Sequence, residues 1–412
     1  MFEAIDCQGF AGGMTLGIVR SGFALVGKKE MHGGFGVRNC EANRHLLGTR
    51  WQAQVTEPEA WEPRYAPLVF GNPPCSGFSV MTDKKHRGVD ARINACMHAF
   101  ARFASRCWPE IAVMESVRPA YTKGRTLMQQ LRDYMEQGTG LRYDLTHVMH
   151  NARQLGGASE RPRYFWVAHR VPFGVEWPIV RQPLLVDVID DLKGLAITWQ
   201  RQPYRRGPTW WSEPARSESG VDGHATIPLN PGLRRAFDLM RANGGWPQGW
   251  WIQKIAMKIY EEQGRLPDSW APYMEKLLGD NNGSGRFHMG YIQLTRWDER
   301  RPARVITGGA MGLVLHPTED RTITHRECAR VMGFPDDWRI LPLRGTPSVN
   351  ATWGKGISVQ CGEWIGRWAH AALDGAPGSV RGREVGDREY LITPPRQDRG
   401  FSGVLTSAAL TR

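Results

Sequence analysis

Over roughly its first 170 residues the chain alternates short apolar runs with stretches of helical spacing, and this alternation restricts the fold more than any other feature. Ala4-Ile5-Asp6 reads as a strand that enters a Gly-rich turn, and a helix follows from Leu16 towards Gly22. Phe23-Ala24-Leu25-Val26, Leu68-Val69-Phe70, Ile111-Ala112-Val113-Met114 and Tyr164-Phe165-Trp166-Val167-Ala168 read as further strands. Ala91 to Cys107 has helical spacing. Alternation of this kind predicts an α/β fold, a doubly wound and mostly parallel sheet with helices on both faces. Functional groups in such sheets gather at the carboxyl ends of the strands. Gly12-Gly13, Cys75 and Glu115 each stand just past a predicted strand end, so one shared site is expected.

The texture changes from about Val186 to Arg300. Trp199, Trp210, Trp211, Trp246, Trp250, Trp251, Trp270 and Trp297 fall there, among many Gly, Pro and Arg residues. Asp280-Asn281-Asn282-Gly283-Ser284-Gly285 reads as a loop. The expected organisation is a first domain over 1–185, a smaller irregular domain over 186–300, a return to the first domain over 301–375, and a polar, mobile tail over 376–412. Sheet-like order is expected to resume near Arg304-Val305-Ile306, followed by helices at Arg326 to Met332 and after Ser358.

The 412 residues carry a net charge of +12, which favours a polyanionic partner through counterion release from phosphates. No apolar run is long enough to cross a bilayer, and the N-terminus lacks a signal-peptide pattern. Cys7, Cys40, Cys75, Cys96, Cys107, Cys328 and Cys361 are odd in number and contain no C-x-x-C pair. This argues against a disulfide framework and a structural zinc site, so no metal is expected and a reducing cytoplasm is the natural home.

Gly71-Asn72-Pro73-Pro74-Cys75-Ser76-Gly77-Phe78-Ser79 is the most informative short run. Two prolines fix the backbone before the cysteine, which is how a reactive side chain is presented rather than packed. A lone cysteine past a strand is more often a buried structural residue; the prolines favour a nucleophile.

Pro73 to Ser79 resembles the nucleophile signature P-P-C-Q-G-F-S of the DNA (cytosine-5) methyltransferase family. Asp6 to Gly17 is similar to the family's donor-binding loop, and Glu30 stands where its ribose-binding acid follows the second strand. Met114-Glu115-Ser116-Val117 resembles the E-N-V block. Ser159-Glu160-Arg161-Pro162-Arg163-Tyr164-Phe165 resembles Q-x-R-x-R-x-F. Arg321 to Arg330, with Gly333-Phe334-Pro335-Asp336, is close to R-x-L-T-x-R-E-x-A-R and G-F-P-D, and Gly356-Ile357-Ser358-Val359 stands at G-N-S-V. The resemblance spans roughly 1–170 and 300–370 in the family's order.

The resemblance implies a Rossmann-like class I methyltransferase fold with a target-recognition domain in the Trp-rich middle. It also implies S-adenosylmethionine as donor and double-stranded DNA as partner, with a monomer plausible. The residue types suit the chemistry. C5 of cytosine is a poor nucleophile, and addition of the Cys75 thiolate at C6 makes it enamine-like. Glu115 would hold a proton at N3, which burial in a pocket favours. Arg161 and Arg163 would hold the O2 side of the base and the sugar–phosphate, and steady the thiolate. The base must first leave the duplex. By resemblance the donor pocket comprises Phe10, Ala11, Gly12, Gly13, Glu30, Pro74 and Ser358. The Arg326-Glu327 helix is expected to tie the C-terminal part back onto the sheet.

Some family positions differ. Gln8 replaces an aromatic residue, Phe10 a glycine, Ser116 the Asn of E-N-V, Ser159 a Gln and Ile357 the Asn of G-N-S-V, while Gln54-Val55 stands where an acid follows the third strand. These changes cluster around the donor pocket and open the way to a modified adenosylmethionine, to which Lys355 could offer a positive charge. The same motifs are also compatible with an RNA cytosine-5 methyltransferase and with a non-catalytic DNA-binding homologue.

Overall fold

The computed structural model describes residues 1–31, 34–62, 64–79, 84–199, 219–226, 295–306, 314–341 and 350–395. Nine strands form the main sheet. They are β1 (Glu3–Cys7), β2 (Ala24–Glu30), β3 (Gln52–Val55), β4 (Leu68–Gly71), β5 (Ile111–Ser116), β6 (Asp144–Asn151), β7 (Pro162–His169), β8 (Arg383–Gly386) and β9 (Glu389–Ile392). Their order across the sheet is β8-β9-β6-β7-β5-β4-β1-β2-β3. β1 to β5 pair in parallel. β7 runs against both β5 and β6, β9 parallels β6, and β8 opposes β9. The expected doubly wound, mostly parallel sheet is present, with β7 and β8 reversed.

Alternation along the central strands explains their unbroken apolar runs. Ala4, Leu68, Phe70, Ile111 and Val113 face one core, with Ile18, Val359 and Ile365. Ile5, Val69, Ala112 and Met114 face the other, with Phe100 and Leu131. A strand covered on both faces has no polar side to show. The covering helices are α1 (Gly13–Arg20) and α7 (Val359–Leu373) on the first face, and α3 (Ala95–Ser105) and α4 (Arg118–Thr139) on the second. Between them in the chain lie α2 (Phe35–Ala42), α5 (His325–Val331) and α6 (Asn350–Lys355).

The packing of α7 on α1 depends on missing side chains. A Cβ on Gly17 would lie 2.3 Å from the Glu363 nitrogen and the Val359 carbonyl oxygen, and one on Gly13 would lie 2.0 Å from the Ile357 carbonyl oxygen. No side chain but hydrogen fits between these backbones.

Two expectations change. Arg304-Val305-Ile306 forms no strand; the neighbouring Ala303 makes only an isolated bridge to Ser159. The stretch after Ala376 is not simply a polar tail, because β8 and β9 extend the sheet beyond β6; residues 396–412 lie outside the described residues. In the middle, the described parts contribute two-residue pairings, Thr198–Trp199 with Ala225–Thr226 and Thr295–Arg296 with Val314–Leu315. Trp297 is buried in the first core, as a structural tryptophan would be. Trp210, Trp211, Trp246, Trp250, Trp251, Trp270 and the 280–285 loop lie outside the described residues.

Candidate active site

Cys75, Glu115, Arg161 and Arg163 meet at one edge of the sheet. β4 and β5 end there, and the reversed β7 begins there, so the residues before and at the start of β7 reach the same edge. A parallel β7 would have carried both arginines to the opposite edge.

Cys75 follows the two prolines and opens the single 3-10 turn Ser76–Phe78. The Phe78 N–H donates to the Cys75 carbonyl at 3.0 Å, and the Phe78 ring is buried in the second core. That anchor leaves the Cys75 side chain only half-buried. The backbone N–H of Val117, the residue that caps the N-terminus of α4, acts on this thiol and lowers its pKa. A helix N-terminus favours the thiolate. Burial nevertheless pushes the thiol above the ordinary range and the Glu115 carboxylate adds to this; Arg163, Arg161 and the Val117 N–H pull the other way.

Glu115 is 2% exposed. Its Oε2 accepts from Asn72 Nδ2 at 3.0 Å, and its Oε1 lies 3.0 Å from Arg163 Nε. That second contact is an ion pair off the line of a hydrogen bond, and Oε1 has no aligned donor among the described residues. Asn72 Nδ2 also donates to the Lys355 carbonyl at 3.3 Å.

Arg161 is engaged inside the protein. It is 1% exposed, and its guanidinium is spent on backbone carbonyls: Nη1 on Ile306 at 3.0 Å, Nη2 on Gly354 at 2.9 Å and on Gly356. Burial, then the neighbouring Arg163, lowers its guanidinium to about 9. It ties the end of α6 and the residue after it to the sheet. Arg163 is the arginine whose guanidinium reaches Glu115, and its Nη1 donates to its neighbour's carbonyl, that of Pro162, at 2.8 Å.

Most of the residues expected at a donor pocket lie around the N-terminus of α1. Gly12 adopts φ 85° and no side chain caps the helix, so the first-turn N–H groups are left for an anion. Asn39 Nδ2 donates to the Ala11 carbonyl at 2.6 Å, and the Phe10 ring lies 5.2 Å from that of Phe35. Gly13 abuts Ile357. Glu30 is buried at the end of β2, accepting the Gly36 N–H at 3.0 Å. Ser358 is buried, and its hydroxyl donates to Cys361 Sγ at 3.0 Å. Pro74, in the turn before Cys75, is exposed.

Lys28 and Asp6 complete this floor. Lys28, fully buried, lies 3.0 Å from Asp6 Oδ2 and 3.3 Å from Glu30 Oε1. Desolvation opposes its charge, but the two carboxylates outweigh it and raise its ammonium above the usual lysine range. Its sequence signal is the i, i+2 spacing to Glu30, which puts both on one face of a strand; Asp6 is its register partner on β1.

The family's changed positions have local accounts. Gln8, at φ 67°, donates from Nε2 to Met31 Sδ and the Cys96 carbonyl, both at 3.4 Å. Gln54 accepts from Lys29 Nζ. The Ser116 and Ser159 hydroxyls are buried without a partner among the described residues. Lys355 is exposed, and its carbonyl is what faces the site. Arg326 binds the Asp222, Pro335 and Trp338 carbonyls, while Cys328, Ala329 and Val331 of α5 are buried in the first core, which holds the helix to the sheet side.

The model of the C-5 cytosine-specific DNA methylase family matches residues 2–369. The chain belongs to that family. Among curated members, a DNA (cytosine-5)-methyltransferase 4 of Arabidopsis thaliana is 26% identical over 67% of this chain, and the chain spans a fifth of that relative's length. The type II methyltransferase M.XorII of Xanthomonas oryzae is 24% identical, covering 81% of this chain and 77% of its own. A prophage-encoded E. coli protein described as a DNA modification methyltransferase shares the fold at TM-score 0.60 and 17% identity, over 91% of this chain and all of its own. The Entamoeba histolytica methyltransferase EhMeth does so at 0.53 and 11%, over 90% and 99%. The four residues gathered at the sheet edge of this member of the methylase family all lie within the matched span.

Proposed function

We propose that the protein methylates C5 of cytosine in duplex DNA, with S-adenosylmethionine as donor. The observation that supports this best is the convergence of the Cys75 thiol, the Glu115 carboxyl and the Arg163 guanidinium at one strand-end edge. The uncapped α1 N-terminus and the buried Glu30 sit beside it. These residues suit the donor: helix N–H groups fit a carboxylate, and Glu30 retains lone pairs for ribose hydroxyls. When bound, the donor supplies an electrophilic methyl group.

The chain's own groups do the rest. Val117 N–H and the arginines favour the Cys75 thiolate, whose sulfur forms a bond to C6 of the extruded cytosine. Glu115 holds a proton at N3 and so stabilises the electron-rich ring. Arg163 faces the O2 side. Once C5 carries its new substituent, a water molecule at the open site takes the C5 proton, the C6–S bond breaks to expel the thiolate, and the ring is restored. Arg161 keeps the 354–356 segment in place. The net charge of +12 suits the phosphates of a duplex.

A duplex carrying 5-fluorocytosine tests the reading, because fluorine blocks the last step. With S-adenosylmethionine, a covalent adduct is expected that disappears in Cys75→Ala. Absence of an adduct in the unsubstituted protein overturns the proposal, and transfer to tRNA in preference to duplex DNA overturns the substrate.

A further inference from the structure

Asn72 stands between Gly71 and Pro73 and belongs to none of the matched functional roles. It is 7% exposed. Its amide nitrogen has two partners, Glu115 Oε2 at 3.0 Å and the Lys355 carbonyl oxygen at 3.3 Å. Both partners are acceptors, so the amide orientation is determined: each N–H serves one of them. Pro73 holds the preceding residue extended, and β4 holds it from the other side, so the side chain's origin is fixed as well.

The two oxygens of Glu115 are therefore unlike. Oε2 has an aligned donor. Oε1 is buried with none among the described residues, and faces only the misaligned Arg163 Nε at 3.0 Å. An N–H donor favours the unprotonated oxygen of a carboxylic acid, which directs the acidic proton to the other one. The charged and titratable groups facing this carboxyl are Arg163 from β7, Arg161 before it, Cys75 from the turn after β4 and Cys361 from α7.

We propose that Asn72 is a positioning residue for Glu115, locking Oε2 as an acceptor so that Oε1 is the oxygen presented to N3 of the target cytosine. The inference rests on the cytosine-C5 reading above. It also links the acid to the 354–356 segment: Arg161 grips the Gly354 and Gly356 carbonyls, and Asn72 takes that of Lys355 between them. An incoming base then displaces an ion pair on Oε1 rather than an aligned hydrogen bond.

The test uses the full chain, a duplex oligonucleotide and S-adenosylmethionine, with kcat and both KM values measured across pH. The unsubstituted protein is assayed first, and failure to form 5-methylcytosine there sinks the functional reading rather than this inference. Asn72→Ala is expected to lower kcat about 10- to 100-fold, with both KM values within about twofold, the pattern of an interaction made only in the transition state. The alkaline pH at which kcat halves is expected to rise, because a donor to the ionised acid has been removed. Asn72→Asp keeps the volume and presents an acceptor to an acceptor, so it is expected to lose activity at least as strongly and to melt below the parent, because two carboxyls then face each other in the interior; it is assayed at a temperature where circular dichroism shows it folded. It decides the matter should the alanine variant not fold. Parental kcat with an unmoved pH profile in a folded variant overturns the proposal, as does a loss of kcat with no movement of the profile.

Discussion

The backbone N–H of Val117 lowers the pKa of the Cys75 thiol, so the residue that starts helix α4 also acts on the side chain that follows strand β4. The block containing Glu115 thus brings both a carboxyl and a backbone N–H to the neighbourhood of the Cys75 thiol. Even so, burial and Glu115 leave the thiol above the ordinary cysteine range. Without DNA, alkylation of Cys75 by iodoacetamide is expected to be slow at neutral pH and to climb only under alkaline conditions. In Arg163→Gln, which removes the larger opposing charge, the climb should shift to still higher pH. Peptide mass spectrometry resolves Cys75 from Cys96, the other cysteine that is not buried. Rapid neutral-pH labelling of Cys75 would contradict this.

Arg161 binds three carbonyls from inside the protein. Arg161→Met leaves those acceptors buried and unpaired, at about 1–3 kcal/mol each. A loss of at least about 3 kcal/mol in urea unfolding is expected. Arg161→Lys should recover little, because one ammonium cannot span the same fork. A methionine variant as stable as its parent would show the carbonyls find other donors.

Lys28 sits between Asp6 and Glu30 with no water contact. Lys28→Met should cost about 3–5 kcal/mol, since it strands two buried carboxylates. Its raised ammonium sets the pH window. The stabilisation is present in full below the ordinary lysine value of 10.5 and is lost as pH climbs through the higher folded value. Differential scanning of parent and variant from about pH 7 to about pH 10 should therefore give a constant gap.

Glu389 on β9 joins Arg125 at 2.8 and 2.7 Å, Gln129 at 2.7 Å and His147 at 2.6 Å. Burial alone would raise its carboxyl, but these partners hold it well below the usual carboxylate range. The stability it contributes is present above the ordinary value of 4.5 and disappears as pH falls through the folded value. Glu389→Gln should accordingly be less stable than the parent at neutral pH, with the gap shrinking in acid. A gap that widens on acidification would reverse the assigned sign.

This cluster also shows where legibility from sequence ends. The strands β1, β2, β4 and β5 are legible because both their faces are covered, which requires continuous apolar runs. β6, Asp-Leu-Thr-His-Val-Met-His-Asn, hides its burial behind two histidines. His147 is satisfied by Tyr164 and by Glu389, 242 residues away, and His150 stacks on Phe165. β8 and β9 are hidden likewise, since a buried Glu in an Arg- and Gly-rich stretch looks like solvent-exposed tail. The direction of β7 is also out of reach, because an apolar run reads alike both ways. At the site, Cys75, Glu115 and Arg163 are legible from motif order, whereas Asn72 and Lys28 depend on partners that only register and folding supply. Gly12-Gly13 suggests a donor contact from its sequence, and Gly13 is needed just as much for the approach of Ile357.

That approach sets a schedule for synthesis. The groove on α1 left open by Gly13 and Gly17 is filled by a helix encoded almost two hundred codons after the first domain's own strands. At ordinary translation speeds the ribosome takes roughly 10–40 s to cover that distance. Throughout that interval the nascent chain carries Cys75 and Glu115 without the carbonyls that Asn72 and Arg161 grip. The Cys75 thiol and the groups that act on it, Val117, Arg161 and Arg163, are thus made early, while the seam they will sit beside stays open until the C-terminal helix arrives, so a product stalled midway exposes the bare glycine face of α1.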